Sequence, residues 1–322
     1  MQLGICVPNY RKWCDAPTLL RLAREAEELG YASLWVNDHV VAPTQGPEES
    51  LQVEPTSTWM NPEAQVPRVL AKDYFGDQFL DPWVTWGFLA AVTTRVRLGS
   101  SIIVLPYRNP IVQAKMCASL DVLSGGRVVL GVGSGHVPGE SEVLGVPYRE
   151  RAAMTDEWLE IITTLCSQPV CSYRGRYFSF EQVLPLVEPV QKPHPPIYVG
   201  GNSKSAIRRA ARLGQGWHPS LTQVWPEHLK LGVAYLQEAS VRAERPHPPV
   251  VAPRLGMHLV ERSEDAFPRG RRLRLTPGQA VELIQEYEAV GASEIILNLP
   301  TGTREVFFEQ VSAFASDVLP RL

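Results

Sequence analysis

The chain has 322 residues, of which 44% are hydrophobic and 20% charged, a composition typical of a globular protein that buries a substantial core. Its formal net charge of −3 argues against nucleic acid or a membrane surface as a partner, because proteins of both classes usually carry a basic excess. No apolar run has the length needed to cross a bilayer, and the first residues, MQLGICVPNY, lack the basic and apolar regions of a secretion signal.

The five cysteines are odd in number and form no CxxC pair. Disulfide frameworks and metal sites usually show paired spacings. We therefore expect five single buried thiols, no metal site, and a protein that resides in the reducing cytoplasm.

Short apolar runs alternate with amphipathic segments along the chain. The first helix is predicted over residues 18–29, with Asp15 before it, and a later helix begins with Asn109 as its N-cap and Pro110 at its first position. Eight strands are predicted, at residues 3–7, 33–36, 96–104, 128–132, 197–199, 216–218, 250–260 and 295–297. Eight such alternations predict one (β/α)₈ barrel domain over residues 1–322 rather than an open sheet.

Two segments exceed ordinary loop length, residues 41–81 after the second strand and residues 166–195 before the fifth. Long segments inside a compact domain are commonly lids or substrate walls, so we interpret both as insertions. Trp59, in the first insertion, is a candidate for the wall of a substrate pocket.

Asp38 and His39 follow the second predicted strand directly. Polar residues just past a barrel strand line the active-site mouth, and a histidine oriented by a neighbouring carboxylate can give or take a proton near neutral pH. A purely structural histidine is the alternative.

A glycine-rich turn, GVGSGH at residues 131–136, follows the fourth strand. It resembles a dinucleotide-binding loop but has His136 where the third glycine should stand, which disfavours that interpretation. In a barrel, the glycines would let the backbone approach a flat ligand. A tight turn without a ligand is the alternative.

Two further turns can contact a ligand. The residues GGNS at 200–203 lead from the fifth strand into a helix, whose start can hold a phosphate, although ordinary capping by Asn202 or Ser203 explains the same residues. Gly99, before Ser100 and Ser101, lies inside the third strand, where glycine often marks a bulge or a contact with a ligand.

Taken together in this order, these stretches resemble the luciferase-like monooxygenase superfamily. The resemblance is carried by SLWVNDH at 33–39, VRLGSSIIVLPYRNP at 96–110, LDVLSGGRVVLGVGSGH at 120–136 and PPIYVGGNSKSAIRRAARLGQGWHP at 195–219. Within the superfamily the chain is most similar to the branch of oxidoreductases that depend on the deazaflavin coenzyme F420.

The resemblance implies a cofactor at the carboxyl ends of the strands. It implies a bulge between Ser101 and Ile102, often a non-proline cis peptide, behind the planar ring, and it implies that His39 assists hydride transfer. The residues that would contact the cofactor are Asp38, Ser100, Ser101, Ile102, Gly133, Ser134, Gly135, His136, Gly200, Gly201, Asn202 and Ser203. Some sugar-phosphate-oxidising members carry an acidic residue where His136 stands, which argues against that activity.

The favoured hypothesis is hydride transfer between F420 and a small organic substrate. The alternative is an FMN-dependent monooxygenase that receives reduced flavin from a separate reductase and uses O₂. A third hypothesis is a flavin-binding barrel without turnover, which would require His39 to be buried with no cavity beside it. The resemblance also implies a homodimer.

Overall fold

A computed structural model describes residues 1–53, 59–64, 68–75, 78–262 and 273–322. Within these residues, eight parallel strands alternate with eight main helices. The strands are β1 (Gln2–Cys6), β2 (Ser33–Val36), β3 (Arg97–Ser100, resumed over Ile103–Val104), β4 (Val128–Gly133), β5 (Ile197–Gly200), β6 (Gly216–His218), β7 (Val250–Val251, resumed over Arg254–Leu259) and β8 (Glu294–Asn298). The helices are α1 (Ala16–Glu28), α2 (Pro82–Val92), α3 (Pro110–Ser124), α4 (Arg151–Ser167), α5 (Lys204–Leu213), α6 (Pro226–Arg242), α7 (Pro277–Ala289) and α8 (Arg304–Asp317).

The sheet closes on itself. Strands β1 to β6 pair in parallel in chain order, and β1 also pairs with β8. The first segment of β7 pairs with β6 and its second segment pairs with β8, which completes the ring. The predicted (β/α)₈ barrel is confirmed, and the dinucleotide-loop interpretation of the turn after β4 is wrong because that interpretation requires an open sheet.

Two strands that we predict to be continuous are interrupted. Strand β7 breaks at Pro253, which has no N–H to donate to a neighbouring strand. Strand β3 breaks after Ser100, where the peptide bond between Ser101 and Ile102 is cis. The cis bond implied by the family resemblance is confirmed.

The main helices begin where their sequence signals indicate. Asp15 caps α1 by accepting from the amide of Thr18, and Asn109 caps α3 by accepting from two amides of its first turn. Gly125 ends α3 in a left-handed conformation, φ 70°, which glycine adopts without steric cost.

Both predicted insertions contain elements that the sequence does not reveal. The first has a short helix at Glu48–Leu51, an antiparallel pair Gln52–Val53 with Val69–Leu70, and a helix at Ala71–Phe75; its residues 54–58, 65–67 and 76–77 lie outside the described residues. The second has the hairpin Cys171–Arg174 with Ser179–Val183. A short helix, Pro138–Val143, follows β4, and a strand at Leu273–Leu275 pairs with β7.

Apolar side chains form two layers. The larger layer packs between the barrel and its helices. The smaller fills the barrel interior and consists of Cys6, Trp35, Val129, Tyr198, Ala252 and Ile296. Because successive side chains of a strand face opposite sides, this alternation fixes which residues near the strand ends point into the barrel.

All five cysteines are free and buried, as the sequence predicts. Burial raises the pKa of the Cys14 thiol to about 12 and that of Cys166 to about 12, so both thiols stay protonated near neutral pH. No helix in the described part of the chain combines the length and apolar character of a membrane span.

Candidate active site

His39 lies just past the end of β2 and is held by a carboxylate. Its Nδ1 lies 2.8 Å from Oε2 of Glu140, and only 9% of the residue is exposed. A carboxylate accepts hydrogen bonds, so Nδ1 carries the proton that faces Glu140. Nε2 is therefore the ring atom left for a ligand, as a proton acceptor when the imidazole is neutral.

Glu140, in the short helix after β4, is fully buried. Its Oε1 accepts from the amides of Val40 at 2.6 Å and Val41 at 3.3 Å, and its Oε2 accepts from the Tyr107 hydroxyl at 3.2 Å. With the bond to His39, the carboxylate joins the ends of β2, β3 and β4. The sequence analysis did not identify Glu140.

Asp38 does not orient His39, contrary to the expectation for two adjacent residues. Arg108 donates to both of its carboxylate oxygens, at 2.7 and 2.9 Å, and the amide of Val104 donates to Oδ2 at 2.9 Å. Burial raises the pKa of the Asp38 carboxyl, and the hydrogen bonds from Arg108 oppose that rise. Arg108 also pairs with Asp81, so Asp38 fastens β2 to β3 and to the first insertion.

Aromatic side chains of the first insertion cover His39. Phe75 stacks on the imidazole with ring centroids 3.8 Å apart, and Phe79 and Tyr74 meet it edge-on. His136 lies 5.5 Å from His39, centroid to centroid. The structure therefore brings His39 and His136 together under an aromatic layer.

The side chain of Ser101, whose peptide bond to Ile102 is cis, is held by His218. Its hydroxyl lies 2.8 Å from Nε2 of His218, whose Nδ1 bonds to the carbonyl of Ala252. Burial lowers the pKa of His218 to about 4, so the ring is neutral and its Nε2 accepts from Ser101. His218 also stacks on Trp35, with centroids 5.0 Å apart.

The glycines of β4 and β5 make room for protein atoms rather than only for a ligand. A methyl group built on Gly133 would lie 2.6 Å from Cδ1 of Ile102, and one on Gly200 would lie 2.6 Å from its Cγ2. One on Gly131 would meet the carbonyl oxygen of Ser100, whose hydroxyl bonds to the Gly131 carbonyl. The predicted residues of β3, β4 and β5 are thus in mutual contact around Ile102.

Ser134 and Gly135 continue from β4 and are partly exposed. Gly135 has φ 81°, which favours glycine, and its carbonyl accepts from the guanidinium of Arg151 at 3.2 Å. Arg151 therefore holds the turn that carries His136.

The loop after β5 leads into α5 with unpaired amides. Ser203 is the N-cap, its Oγ accepting from the amide of Ala206 at 3.1 Å, so ordinary capping explains Ser203. Among the described residues, no protein acceptor faces the amides of residues 202–205. Gly201 has φ 107°, a conformation that suits glycine.

Asn202 and Trp59 hold this loop from two sides. The Asn202 side chain bonds to both backbone groups of Ser220, at 2.7 and 3.0 Å, so its amide group is not free. The Trp59 indole N–H donates to the Asn202 carbonyl at 2.6 Å, and Lys204 lies over the indole ring. Trp59 therefore lies beside the loop at 200–203 rather than over His39.

Arg254, at the start of the second segment of β7, points into the barrel. Its neighbours Leu255 and Met257 lie in the outer core layer, whereas Ala252, two residues before it, lies in the inner one. Its guanidinium lies 3.5 Å from the carbonyl oxygen of Ser101. The sequence analysis overlooked Arg254, although a charged residue inside the apolar run 250–260 was the signal for it.

The described residues contain no group of three or more histidine, cysteine, aspartate or glutamate side chains arranged to hold a metal ion. The site thus offers a buried histidine–carboxylate pair, a cis peptide with a guanidinium beside it, and a helix start with free amides. All three lie at the carboxyl ends of the strands, where barrel enzymes carry their active sites.

A family model for luciferase-like monooxygenases matches residues 1–292 of the chain. The chain belongs to the luciferase-like monooxygenase family. This confirms the family indicated by the sequence resemblance.

Curated relatives of this luciferase-like protein align over part of its length. An uncharacterized protein of Mycobacterium tuberculosis is 34% identical over 203 residues, which are 63% of this chain and 65% of that protein. An F420-dependent glucose-6-phosphate dehydrogenase of Kineococcus radiotolerans is 30% identical over 203 residues, 62% of this chain and 51% of that protein. The chain thus spans less than two thirds of the length of these relatives.

Solved structures match the luciferase-like barrel over its whole length. Monooxygenase RslO1 from Streptomyces bottropensis has a TM-score of 0.80 at 21% identity, covering 99% of both chains. An F420-dependent secondary alcohol dehydrogenase in complex with an F420–acetone adduct has a TM-score of 0.75 at 17% identity, and the match covers 99% of this chain and 98% of that chain. The oxygenating constituent of 3,6-diketocamphane monooxygenase of Pseudomonas putida, in complex with FMN, has a TM-score of 0.74 at 15% identity. That match covers 100% of this chain and 99% of that chain. At these identities the likeness establishes the fold alone.

Proposed function

We propose that the protein is an F420-dependent oxidoreductase that transfers a hydride to or from a small organic substrate. The observation that carries the proposal is the buried pair of His39 and Glu140, a positioned acid–base group at the barrel's carboxyl end. The K. radiotolerans relative and the alcohol dehydrogenase, both named as F420-dependent, favour this cofactor.

The residues present fit the phosphate and ring of such a cofactor. The amides of residues 202–205 have no protein acceptor among the described residues, and they lie at the positive end of the helix dipole, so they offer a seat for the phosphate. The cis peptide between Ser101 and Ile102, with the turn from Gly133 to His136 beside it, offers a support for the flat ring. Ser100 and Asn202 contribute indirectly: the Ser100 hydroxyl bonds to the Gly131 carbonyl, and the Asn202 side chain bonds to the backbone of Ser220.

When bound, the deazaflavin supplies a ring carbon that gives or accepts a hydride. The chain's own part is to position the substrate and move a proton. Because Glu140 holds the Nδ1 proton of His39, Nε2 can receive a proton from a substrate hydroxyl or return it to a carbonyl. Asp38 and Arg108 hold the strand end that carries His39 in place.

Phe75, Phe79 and Tyr74 form an aromatic cover that excludes water from His39 in this arrangement. We infer that substrate entry displaces Phe75, and that a small, largely apolar substrate replaces its ring against the imidazole. A flavin-binding barrel without turnover, the third hypothesis, is disfavoured by membership of an oxidoreductase family, although His39 is indeed buried.

The second candidate is an FMN-dependent monooxygenase supplied by a separate flavin reductase. The FMN complex of the P. putida oxygenating constituent and the barrel of RslO1 support it. In either case we propose a separate reductase as a partner, a homodimer, and a cytoplasmic location on the strength of the free thiols.

Titration of the apo-protein with F420 and with FMN, each oxidised and reduced, separates the two candidates. We expect F420 to bind at least tenfold more tightly than FMN, measured by the change in cofactor fluorescence. A tighter affinity for FMN, with O₂ consumed in proportion to product, would reverse the ranking. Failure of both cofactors to bind would reject the proposal altogether.

A further inference from the structure

Arg254 carries a positive charge into the barrel interior. No carboxylate of the described residues pairs with its guanidinium, and its one side-chain hydrogen bond is the long contact to Ser101. Its electrostatic neighbours include the thiol of Cys6 and the phenols of Tyr10 and Tyr74.

The two carboxylates described beside His39, those of Asp38 and Glu140, are already bound by other groups. Asp38 binds Arg108, and Glu140 accepts from His39, Tyr107 and two backbone amides. Neither carboxylate has an oxygen free for Arg254. A partly buried guanidinium without a counter-charge is costly in a folded protein, and such a group is most simply explained by a ligand that brings a negative charge.

The contact between Arg254 and Ser101 indicates which part of the ligand carries the negative charge that Arg254 would bind. The Ser101 carbonyl belongs to the cis peptide bond with Ile102, which under the proposed function would support the cofactor ring. A guanidinium 3.5 Å from that carbonyl would be within reach of a ring that the cis peptide supports. Two-electron reduction of a flavin or deazaflavin puts negative charge on the pyrimidine edge, where a nearby cation tunes its electronics.

We propose that Arg254 binds the pyrimidine edge of the cofactor and stabilises its reduced, anionic form. The inference rests on the proposed function. His218 supports it by keeping Ser101 in place: its Nε2 accepts a hydrogen bond from the Ser101 hydroxyl, while the Ser101 carbonyl accepts from Arg254. Because burial keeps His218 neutral, Arg254 and not His218 supplies the positive charge beside the Ser101 carbonyl.

The test compares the affinity for reduced and oxidised F420 in four proteins. These are the wild type, Arg254→Met, Arg254→Lys and Arg11→Met, the last removing a charge that follows β1 and bonds instead to Thr301. We expect Arg254→Met to lower the ratio of reduced to oxidised affinity at least tenfold, which lowers the two-electron potential of the bound cofactor by about 30 mV. Arg254→Lys should keep most of the ratio, and Arg11→Met should leave it unchanged.

The outcomes separate this inference from the proposed function. If the wild type binds both forms and Arg254→Met leaves their ratio unchanged, the inference is overturned while the cofactor assignment stands. A variant with an unchanged ratio but a raised KM for an anionic substrate would assign Arg254 to substrate instead. If the wild type binds neither form, both proposals fail. Should Arg254→Met not fold, Arg254→Gln takes its place, because the amide removes the charge but keeps hydrogen-bond donors, and an unchanged ratio in that variant overturns the inference.

Discussion

The two carboxylates nearest His39 in sequence and in space have different partners. Asp38, adjacent in the chain, is bound by Arg108, whereas Glu140, distant in the chain, contacts the imidazole. A side chain bound on both oxygens by a guanidinium cannot also orient a ring. Glu140 is therefore the positioning residue of the site, and His39 is the group proposed to exchange a proton.

Replacing His39 by alanine should lower kcat by about 10²–10⁴, with cofactor affinity and unfolding free energy largely retained. Glu140→Gln should lower kcat less and shift its pH profile, because an amide no longer secures the Nδ1 proton. Steady-state kinetics over a range of pH, with cofactor affinity measured separately, provides the check.

Glu142 supplies the matched control, since it stands in the same helix but is exposed. Glu142→Gln should leave kcat and the pH profile unchanged. If His39 and Glu140 act as a unit, the double variant His39→Ala/Glu140→Gln should have a kcat hardly lower than that of His39→Ala alone. Losses that multiply in the double variant would contradict the pairing.

The sequence could identify His39 but not Glu140. His39 follows a predicted strand, and position relative to a barrel strand is a signal that can be read from one sequence. Glu140 and Glu142 are two residues apart with the same side chain, and tertiary contacts with His39 and Tyr107 bury Glu140 while Glu142 stays exposed. The pairing of Asp38 with Arg108 likewise depends on tertiary contacts.

At the scale of the elements, the sequence predicts strand positions well because apolar runs of a buried parallel strand are continuous. It misses the interruption of β7 although Pro253 is visible, because the flanking residues have the same apolar character. It also misses the hairpin Cys171–Arg174 with Ser179–Val183, whose side chains are mostly exposed and so lack the alternation that marks a strand.

The contact of β3 with β4 and β5 through Ile102 gives a prediction about packing. Gly133→Ala should destabilise the protein by about 1–3 kcal/mol, because the new methyl group overlaps Cδ1 of Ile102. Combining it with Ile102→Ala removes the overlapping atoms, so the double variant should be more stable than additivity predicts, by about 0.5–3 kcal/mol. Urea unfolding of the four proteins of the cycle measures this coupling.

Gly87, in α2, is the control for a glycine with open space around it, since no heavy atom lies within 4 Å of a methyl group built there. Gly87→Ala should stabilise the protein by up to about 1 kcal/mol through helix propensity. Additive losses for Gly133→Ala and Ile102→Ala would show that the two residues do not restrain each other.

Across the whole molecule, the two ends of the barrel carry different polar groups. At the amino end, Glu294 accepts from Ser33 and Arg97, and Ser33 in turn accepts from the Trp35 indole, so these groups satisfy one another. At the carboxyl end, among the described residues, Arg254 has no carboxylate partner and the amides of residues 202–205 have no protein acceptor. This asymmetry places stability at one end and binding at the other, as in other barrels.

His218 connects the binding end to the stability of the whole chain. Only 3% of it is exposed, and burial lowers its pKa from 6.5 to about 4. The unfolded chain therefore binds a proton at a pH where the folded chain does not, so the stabilisation is complete above pH 6.5 and is lost as the pH falls toward 4. Since one pKa unit corresponds to about 1.4 kcal/mol, the full effect is about 3 kcal/mol.

Between pH 7 and pH 5, His218 should account for about 2 kcal/mol of the fall in unfolding free energy. Other groups titrate in the same range, so the informative quantity is the difference between the wild type and His218→Asn, measured by urea unfolding at both pH values. Asparagine places an amide near the position of Nδ1, so it can still donate to Ala252, but it does not reach Ser101 and cannot gain a proton. This variant should therefore be less stable at pH 7 and yet lose less on acidification. His247→Gln, at an exposed position, should follow the wild type. Equal losses in the wild type and His218→Asn would show that the burial of a neutral His218 does not govern the acid sensitivity of the barrel.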